Sequence, residues 1–148
     1  MEALDTIGYE GAELDQFIQT LIRHHLSCVL DARERAGSRK KGFSKTALRT
    51  TLAQAGIGYR HERALGSPRA LRERLRCDGD YRAFFATFKQ YLKTRGPLLR
   101  ELAASLQGQV ALRCYERDAN RCHRRPVAGK LARLSGLTAR DPVVEAAH

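Results

Sequence analysis

Three carboxylates, each after a segment with the pattern of a buried β-strand, are the first candidates for chemistry: Glu10, Asp31 and Glu116. Carboxylates that converge in a basic cleft can hold a proton, a metal ion or a ribose hydroxyl, so we expect general acid or base roles for them. The alternative is structural: the carboxylates would fix the loops through ion pairs with nearby arginines, Arg33, Arg39 or Arg124.

A thiol, Cys114, stands at the end of a strand-like segment and precedes an arginine-rich stretch. Neighbouring guanidinium groups stabilise a thiolate and make it nucleophilic, so Cys114 is a candidate catalytic nucleophile. The Cys-x5-Arg spacing of cysteine phosphatases is absent, because Asn120 stands where that spacing needs an arginine and Arg121 follows one residue later. A buried structural thiol is the alternative interpretation of Cys114.

His123 completes the candidate catalytic set, because an imidazole titrates near neutral pH and can act as a general acid or base. It adjoins Cys122, and these two side chains together with Cys114 raise the alternative of a zinc site. Their Cys-x7-Cys-His spacing matches no standard zinc motif, and a fourth ligand would have to come from Asp31, Glu10 or Glu116. A thiol clamp between Cys114 and Cys122 is a further alternative. We therefore predict no metal site, and the sequence assigns no cofactor.

Positive charge is concentrated in three segments of the chain. The 148 residues include 27 Lys and Arg against 16 Asp and Glu, a formal net charge of +11. Segments 33–45, 60–76 and 113–125 carry +5, +4 and +3, so the rest of the chain is −1. This balance predicts an anionic partner, a nucleotide or a nucleic acid. The alternative is a basic surface that reflects an arginine-rich proteome and nothing more.

The elements that must position these residues alternate between strand and helix patterns. Helical periodicity is clearest in the apolar stripe from Leu14 to Ile22 and in the aromatic stripe from Tyr81 to Leu92, which we interpret as core. Ser44 and Asp80 are candidate N-caps. The strand-like runs begin at Thr6, Leu26, Ile57, Gln109 and Val143. This order predicts an α/β fold, one compact domain over residues 1–148 with a mainly parallel sheet of about five strands and helices on both faces.

The loops that leave the carboxyl ends of parallel strands line the ligand crevice of such a sheet. The three basic segments begin at or just before three of these exits, so topology predicts that they converge on one edge of the domain. We expect one cleft there to hold the acidic, basic and thiol groups together: Glu10, Asp31, Arg33, Arg39, Cys114, Glu116 and His123.

Four motifs in fixed order, spanning residues 6–124, resemble one known family. They are Thr6-Ile7-Gly8-Tyr9-Glu10; Asp31-Ala32-Arg33 followed by Ser38-Arg39 and Gly42-Phe43-Ser44-Lys45; Leu65-Gly66; and Cys114-Tyr115-Glu116 followed by Cys122-His123-Arg124. The ordered set is similar to the family catalogued as domain of unknown function 488. The resemblance implies a small Rossmann-like α/β fold, and it implies no particular activity because the family has no settled biochemical function.

The matching positions also supply candidate ligand-binding residues. Gly8 permits close approach of a ligand to the backbone, and Tyr9 offers a flat surface for stacking. The remaining members of the phosphate- or ligand-binding set are Arg33, Ser38, Arg39, Phe43 and Arg124. Two loop positions depart from the family pattern, with Ala36 in place of a usual proline and Ser67 in place of a usual glycine or asparagine.

Several classes of protein are excluded at this stage. No apolar run approaches eighteen residues and the N-terminus is acidic, so neither a membrane-spanning nor a secreted protein is expected. Four scattered cysteines indicate reduced thiols and a cytoplasmic location. The leading hypothesis is an enzyme that acts on a nucleotide or on a nucleic-acid base or phosphate. The alternatives are a non-catalytic nucleic-acid-binding module and a sensor of a nucleotide or small ligand.

Overall fold

Strands and helices alternate along the chain in the computed structural model, which describes residues 3–8, 13–34, 44–106, 108–114, 124–137 and 139–140. The strands are β1 (Ala3–Gly8), β2 (Cys28–Asp31), β3 (Gly58–His61), β4 (Gln109–Cys114) and β5 (Ala139–Arg140). The helices are α1 (Leu14–Arg23), α2 (Lys45–Gln54), α3 (Arg69–Asp78), α4 (Tyr81–Lys93), α5 (Gly96–Ser105) and α6 (Arg124–Ser135), and a 3₁₀ turn spans Arg63–Leu65.

The strands form one sheet in the order β3-β2-β4-β1-β5, and every described pair is parallel. The α/β fold with a parallel sheet, predicted from the alternation of elements, is therefore confirmed. Four strands have four to six residues, whereas β5 contributes only two. The last strand was predicted at Val143; the structure has it at Ala139–Arg140, and Val143 lies outside the described residues.

Helices cover both faces of the sheet because successive strand residues point to opposite sides. On one face, α1 and α2 bury Phe17, Leu21, Leu48 and Leu52 against Val29. On the other face, α4, α5 and α6 bury the larger apolar cluster, whose members include Leu30, Phe88, Leu92, Leu102 and Leu131. Each large side chain removed from water in this way contributes about 1.5–3 kcal/mol.

The local helix signals differ in how well they predicted the structure. Asp80 caps α4, because its Oδ1 accepts a hydrogen bond from the backbone N–H of Ala83 at 3.0 Å. Ser44 occupies the N-cap position of α2 but makes no side-chain capping bond. Helix α6 begins at Arg124, two residues ahead of Pro126. The proline is tolerated because a first-turn N–H has no partner within the helix.

Two apolar stripes are narrower than their periodicity indicated. Ile22 closes the predicted stripe of α1 but is 47% exposed. In α4, Phe84, Phe88 and Leu92 are buried, whereas Tyr81 is 36% exposed and Phe85 is only partly buried. A helix on a sheet buries one narrow face, so residues at the flanks of a wide stripe stay at the surface.

Candidate functional site

The path of the chain diverges on both sides of β4. Strand β4 lies between β2 and β1, and the helices that follow those two strands, α2 and α1, pack on one face of the sheet. Helix α6, which follows β4, packs on the opposite face. Loops that separate to opposite faces leave a crevice at the carboxyl ends of the strands, where open α/β sheets bind ligands. The topology therefore favours a crevice at the end of β4.

Backbone register brings three of the four motifs to this edge. Gly8 and Cys114, the last residues of β1 and β4, are Cα partners. Asp31, the last residue of β2, is paired with Arg113 in β4 and with His61 in β3. Gly8 is buried, and of Cys114 only the backbone is described.

Several predicted site residues lie outside the described part of the chain: Tyr9, Glu10, Ser38, Arg39, Phe43, Glu116, Cys122 and His123. For Arg124, as for Cys114, the description ends at the backbone. The shared cleft of carboxylates, thiol and imidazole therefore stays a prediction. Asp31, Arg33 and their neighbours are the part of it whose side chains have a described geometry.

Asp31 and Arg33 form a buried side-on ion pair at the end of β2. The guanidinium Nε donates to Oδ1 at 2.7 Å and Nη2 donates to Oδ2 at 2.5 Å. The Asp31 side chain is 0% exposed and that of Arg33 is 8% exposed. A charge removed from water this completely requires a partner with good geometry, which a bidentate guanidinium provides.

Tyr59 supplies a further donor to the same carboxylate. Its hydroxyl donates to Oδ2 of Asp31 at 2.5 Å, and the guanidinium carbon of Arg49 lies 5.4 Å from the centre of its ring. Both oxygens of Asp31 therefore accept hydrogen bonds from neighbouring side chains. The ion pair with Arg33 is the one that the structural alternative for Asp31 describes, and the acid or base role of this carboxylate stays a prediction.

Tyr59 was not among the residues that the sequence pointed to as candidates for chemistry. In the structure it is paired with Val29 in β2, two residues before Asp31. Diagonal neighbours on adjacent strands are within reach of a long aromatic side chain. Finding the contact from the sequence would have required the register between β2 and β3, which local patterns do not supply.

The backbone after β2 is held by two contacts from the neighbouring strand. The Nε2 of His61 lies 2.7 Å from the carbonyl oxygen of Arg33, and the N–H of Glu62 donates to the carbonyl of Asp31 at 3.0 Å. These contacts therefore fix the backbone of Asp31 and Arg33, where the chain leaves β2.

Gly66 explains the Leu-Gly motif through a close approach between two loops. A Cβ at this position would lie 2.0 Å from the backbone nitrogen of Glu34 and 2.6 Å from the carbonyl carbon of Arg33. Only glycine allows the loop after β3 to pack this closely against the loop after β2. The departure Ser67 is buried, and its carbonyl accepts a hydrogen bond from Nη1 of Arg72.

Three cations of the 60–76 segment pair with nearby carboxylates. Arg72 Nη2 lies 2.9 Å from Glu34, and Arg69 contacts Glu73 within α3. Arg60 contacts Glu62 at 2.5 Å and Glu101 of α5 at 3.5 Å; the hydrogen bond to Glu62 raises the pKa of its guanidinium. Glu62 and Glu73 are already included in the segment's net charge of +4, so only Glu34 and Glu101, which lie outside the segment, offset that charge further.

Among the described residues, no three His, Cys, Asp or Glu side chains are grouped as a metal site. Two of the three weakly suggested ligands and the side chain of Cys114 lie outside that part. In the described ranges no helix has both the length and the apolar character needed to cross a membrane. The thiols of Cys28 and Cys77 are free, the first half-buried and the second exposed.

Comparison with known proteins gives one match. The model of a family described as a domain of unknown function, DUF488, matches residues 13–131 of the chain. This range includes β2, β3, β4 and the loops between them. No curated protein and no solved structure matches the chain.

Proposed function

Since this chain belongs to the DUF488 family, whose description assigns no reaction, we propose a function from the site itself. The protein acts on a nucleotide, or on a base or phosphate of a nucleic acid, bound in a crevice at the carboxyl ends of β1, β2 and β4. The proposal concerns the class of ligand and the place of the chemistry. It leaves the reaction to be identified by experiment.

The observation that carries this proposal is the divergence of the chain on both sides of β4. Strand ends with diverging loops form the usual ligand crevice of open α/β sheets. Gly8 at the end of β1 has no side chain to obstruct a ligand, and Asp31 holds the cation Arg33 beside the end of β4. The net charge of +11 favours a phosphate-bearing ligand over a neutral one.

The described contacts add a structural role to the candidate set. The oxygens of Asp31 accept hydrogen bonds from Arg33 and Tyr59, so Asp31 positions Arg33, and its acid or base role stays a prediction. Acid and base roles are likewise proposed for Glu10, Glu116 and His123, and a nucleophilic role for Cys114. A histidine that titrates near neutral pH and a thiolate stabilised by arginine are both suited to displacement at a phosphate or a base.

A product assay on purified protein tests the proposal. Wild-type protein is incubated with nucleotides and short oligonucleotides, and products are identified by mass spectrometry. We expect Glu116→Gln and Cys114→Ser to abolish product formation, and Cys77→Ser, the same change at an exposed thiol, to leave it intact. Absence of any product from wild-type protein across the panel would contradict the enzymatic proposal.

A second candidate, binding without turnover, is supported by the net charge of +11, because charge alone is enough to attract a nucleic acid. A binding module would use the Asp31–Arg33 pair only to hold the backbone after β2. In the assay above, oligonucleotide binding by wild-type protein without any product would select this second function.

A further inference from the structure

A groove with a volume of about 1070 Å³ runs between the outer surfaces of α4 and α6. Six cationic side chains line it: Arg82, Lys89, Lys93, Arg125, Lys130 and Arg133. Among the residues that the structure describes, no acidic side chain is part of its lining. None of the three basic segments found in the sequence predicted this surface, since only Arg125 belongs to one of them.

The charge of the groove follows from the composition of its two helices. Residues 81–93 and 124–135 contain no Asp or Glu. Within α4 the cations recur at spacings of seven and four residues, which keeps them on one side of the helix, and within α6 Lys130 and Arg133 are three residues apart. The ion pairs between described side chains at β2, β3, α3 and α5 include none of Arg82, Lys89, Lys93, Lys130 and Arg133.

Cations that line one groove without carboxylate partners in the described part of the chain, here Arg82, Lys89, Lys93, Lys130 and Arg133, repel one another and lower the stability of the folded protein. A polyanion in the groove would relieve that repulsion. A volume of about 1070 Å³ is at the upper limit of pockets that enclose one small molecule, so an extended ligand fits it better than a single phosphate does.

An aromatic side chain lies among the cations. Phe85 lines the groove and is partly buried, with its ring 5.3 Å from that of the buried Phe84 at an interplanar angle of 75°. The edge-to-face contact with a core residue limits the movement of the Phe85 ring. Ala86 and Gly129 are also part of the lining, and their small size keeps the groove open.

One end of the groove faces the edge where the strands end. Helix α6 carries the chain from the carboxyl end of β4 to the amino end of β5, so its first turn, with Arg125, lies toward that edge. The hydroxyl of Tyr91 donates to the carbonyl of Ala64 at 2.6 Å, which brings the C-terminal end of α4 beside the 3₁₀ turn that follows β3. Lys93 and Arg125 thus mark the end of the groove nearest the crevice.

We propose that the α4–α6 groove binds single-stranded nucleic acid, with phosphates between its cationic walls and a base stacked on Phe85. A basic groove with an aromatic platform is the combination that binds single strands without reading their sequence. The inference deepens the proposed function by naming its substrate as single-stranded nucleic acid. It rests on that function only in placing the reaction in the crevice at the ends of β1, β2 and β4.

The aromatic platform distinguishes a single strand from other polyanions. A duplex keeps the faces of its bases stacked on one another, so Phe85 would have no base to contact. A lipid bilayer presents a flat array of headgroups, which meets protruding side chains more readily than a concave groove.

Salt dependence of oligonucleotide binding is the first test. The affinity for a fluorescent single-stranded oligonucleotide is measured at several salt concentrations for wild-type protein and for Lys89→Ala/Lys93→Ala. The matched control is Arg74→Ala/Arg76→Ala, which removes the same charge from exposed positions on α3. Each lost phosphate contact lowers the slope by about 0.7, so we expect a decrease of about 1.4 for the groove variant and no change for the control.

The identity of the polyanion is tested with three further probes. Replacing Phe85 by leucine should weaken oligonucleotide binding about tenfold. The same change should leave the affinity for inorganic polyphosphate, which has no bases, unchanged. A free nucleotide should bind more weakly than the oligonucleotide, because it spans fewer of the cations.

Specific outcomes would overturn the inference. Equal salt slopes for the groove and control variants would do so, as would an oligonucleotide affinity unaffected by Phe85→Leu. Binding to vesicles of anionic phospholipid without binding to oligonucleotide would also contradict it. The two proposals fail separately, because strand binding that depends on Lys89 and Lys93 without any product contradicts only the enzymatic function.

Discussion

The guanidinium of Arg33 contacts the carboxylate of Asp31 side-on, through Nε to Oδ1 at 2.7 Å and Nη2 to Oδ2 at 2.5 Å. The two residues are separated by one alanine, yet both side chains are almost fully removed from solvent. This pair gives the Asp-x-Arg motif a structural contact at the end of β2, beside the acid or base role predicted for Asp31.

Removing one member of the Asp31–Arg33 pair should destabilise the protein more than removing both members. We expect Arg33→Met, which leaves the carboxylate buried without its cation, to lower the free energy of unfolding by about 3–5 kcal/mol. The double variant Asp31→Asn/Arg33→Met should lose less than the sum of its single variants, because neither charge then remains buried. Urea unfolding followed by circular dichroism measures these values, and strictly additive losses would contradict the coupling.

The Tyr59 hydroxyl should make its own measurable contribution to the stability of the protein. Tyr59→Phe removes one donor to Asp31 and little volume, so we expect a loss of about 1.5–3 kcal/mol in the free energy of unfolding, typical of a hydrogen bond to a charged group. The control is Tyr81→Phe on a ring that is 36% exposed, which should change stability by less than about 0.5 kcal/mol. Equal effects of the two substitutions would argue against the contact.

Replacing glycine by alanine should change the stability of the protein in opposite directions at two positions. Gly66→Ala places a Cβ 2.0 Å from the backbone of Glu34, and backbone cannot move aside as a flexible side chain can. We expect it to destabilise the protein by at least about 1–3 kcal/mol. Gly129→Ala in α6 meets nothing within 4 Å and should stabilise the protein by about 0.5–1 kcal/mol. Thermal unfolding of both variants checks the signs.

The two described thiols should differ in reactivity. Burial raises the pKa of Cys28 above its ordinary value of 9.0, and the charge of Arg60 offsets only part of this effect. Cys77 is exposed. Because the thiolate is the reactive form, we expect iodoacetamide at pH 8 to modify Cys77 about tenfold faster than Cys28, as measured by peptide mass spectrometry. Urea should remove the difference.

The same shift sets the sign of a pH effect on stability. The unfolded chain releases the Cys28 proton at a lower pH than the folded protein does. The contribution of the protonated thiol is therefore fully present below the unfolded pKa, and it is lost as the pH rises through the raised pKa of the folded state. Cys28→Ala should reduce the loss of stability in that alkaline range, and an unchanged pH profile would contradict the assignment.

Local patterns determined the elements of this protein with fair accuracy. The strand ending at Asp31 and the cap at Asp80 were both readable, because alternation and capping depend on neighbours within a few residues. Ile22 and Phe85 were misassigned to the core, because periodicity indicates which side of a helix is apolar and not how much of it the sheet covers.

The candidate site residues show the same limit: local patterns pointed to some of them, and contacts between distant segments were not predictable. The sequence pointed to Asp31 and Arg33 and offered their ion pair as an alternative. It contained no sign that Tyr59 completes the arrangement, because that contact needs the register between β2 and β3. The close approach of Gly66 to Glu34 likewise joins two loops that are about thirty residues apart.

By itself, the sequence determined the α/β class, the sites where strands end and an excess of positive charge. Only the tertiary structure decided where that charge accumulates. Arg72 and Arg60 meet carboxylates and are neutralised, whereas the sparse cations of α4 and α6, some forty residues apart, line one groove. The reason is physical: the charge that a ligand meets is a sum over neighbours in space, and a crossover between parallel strands brings distant helices side by side.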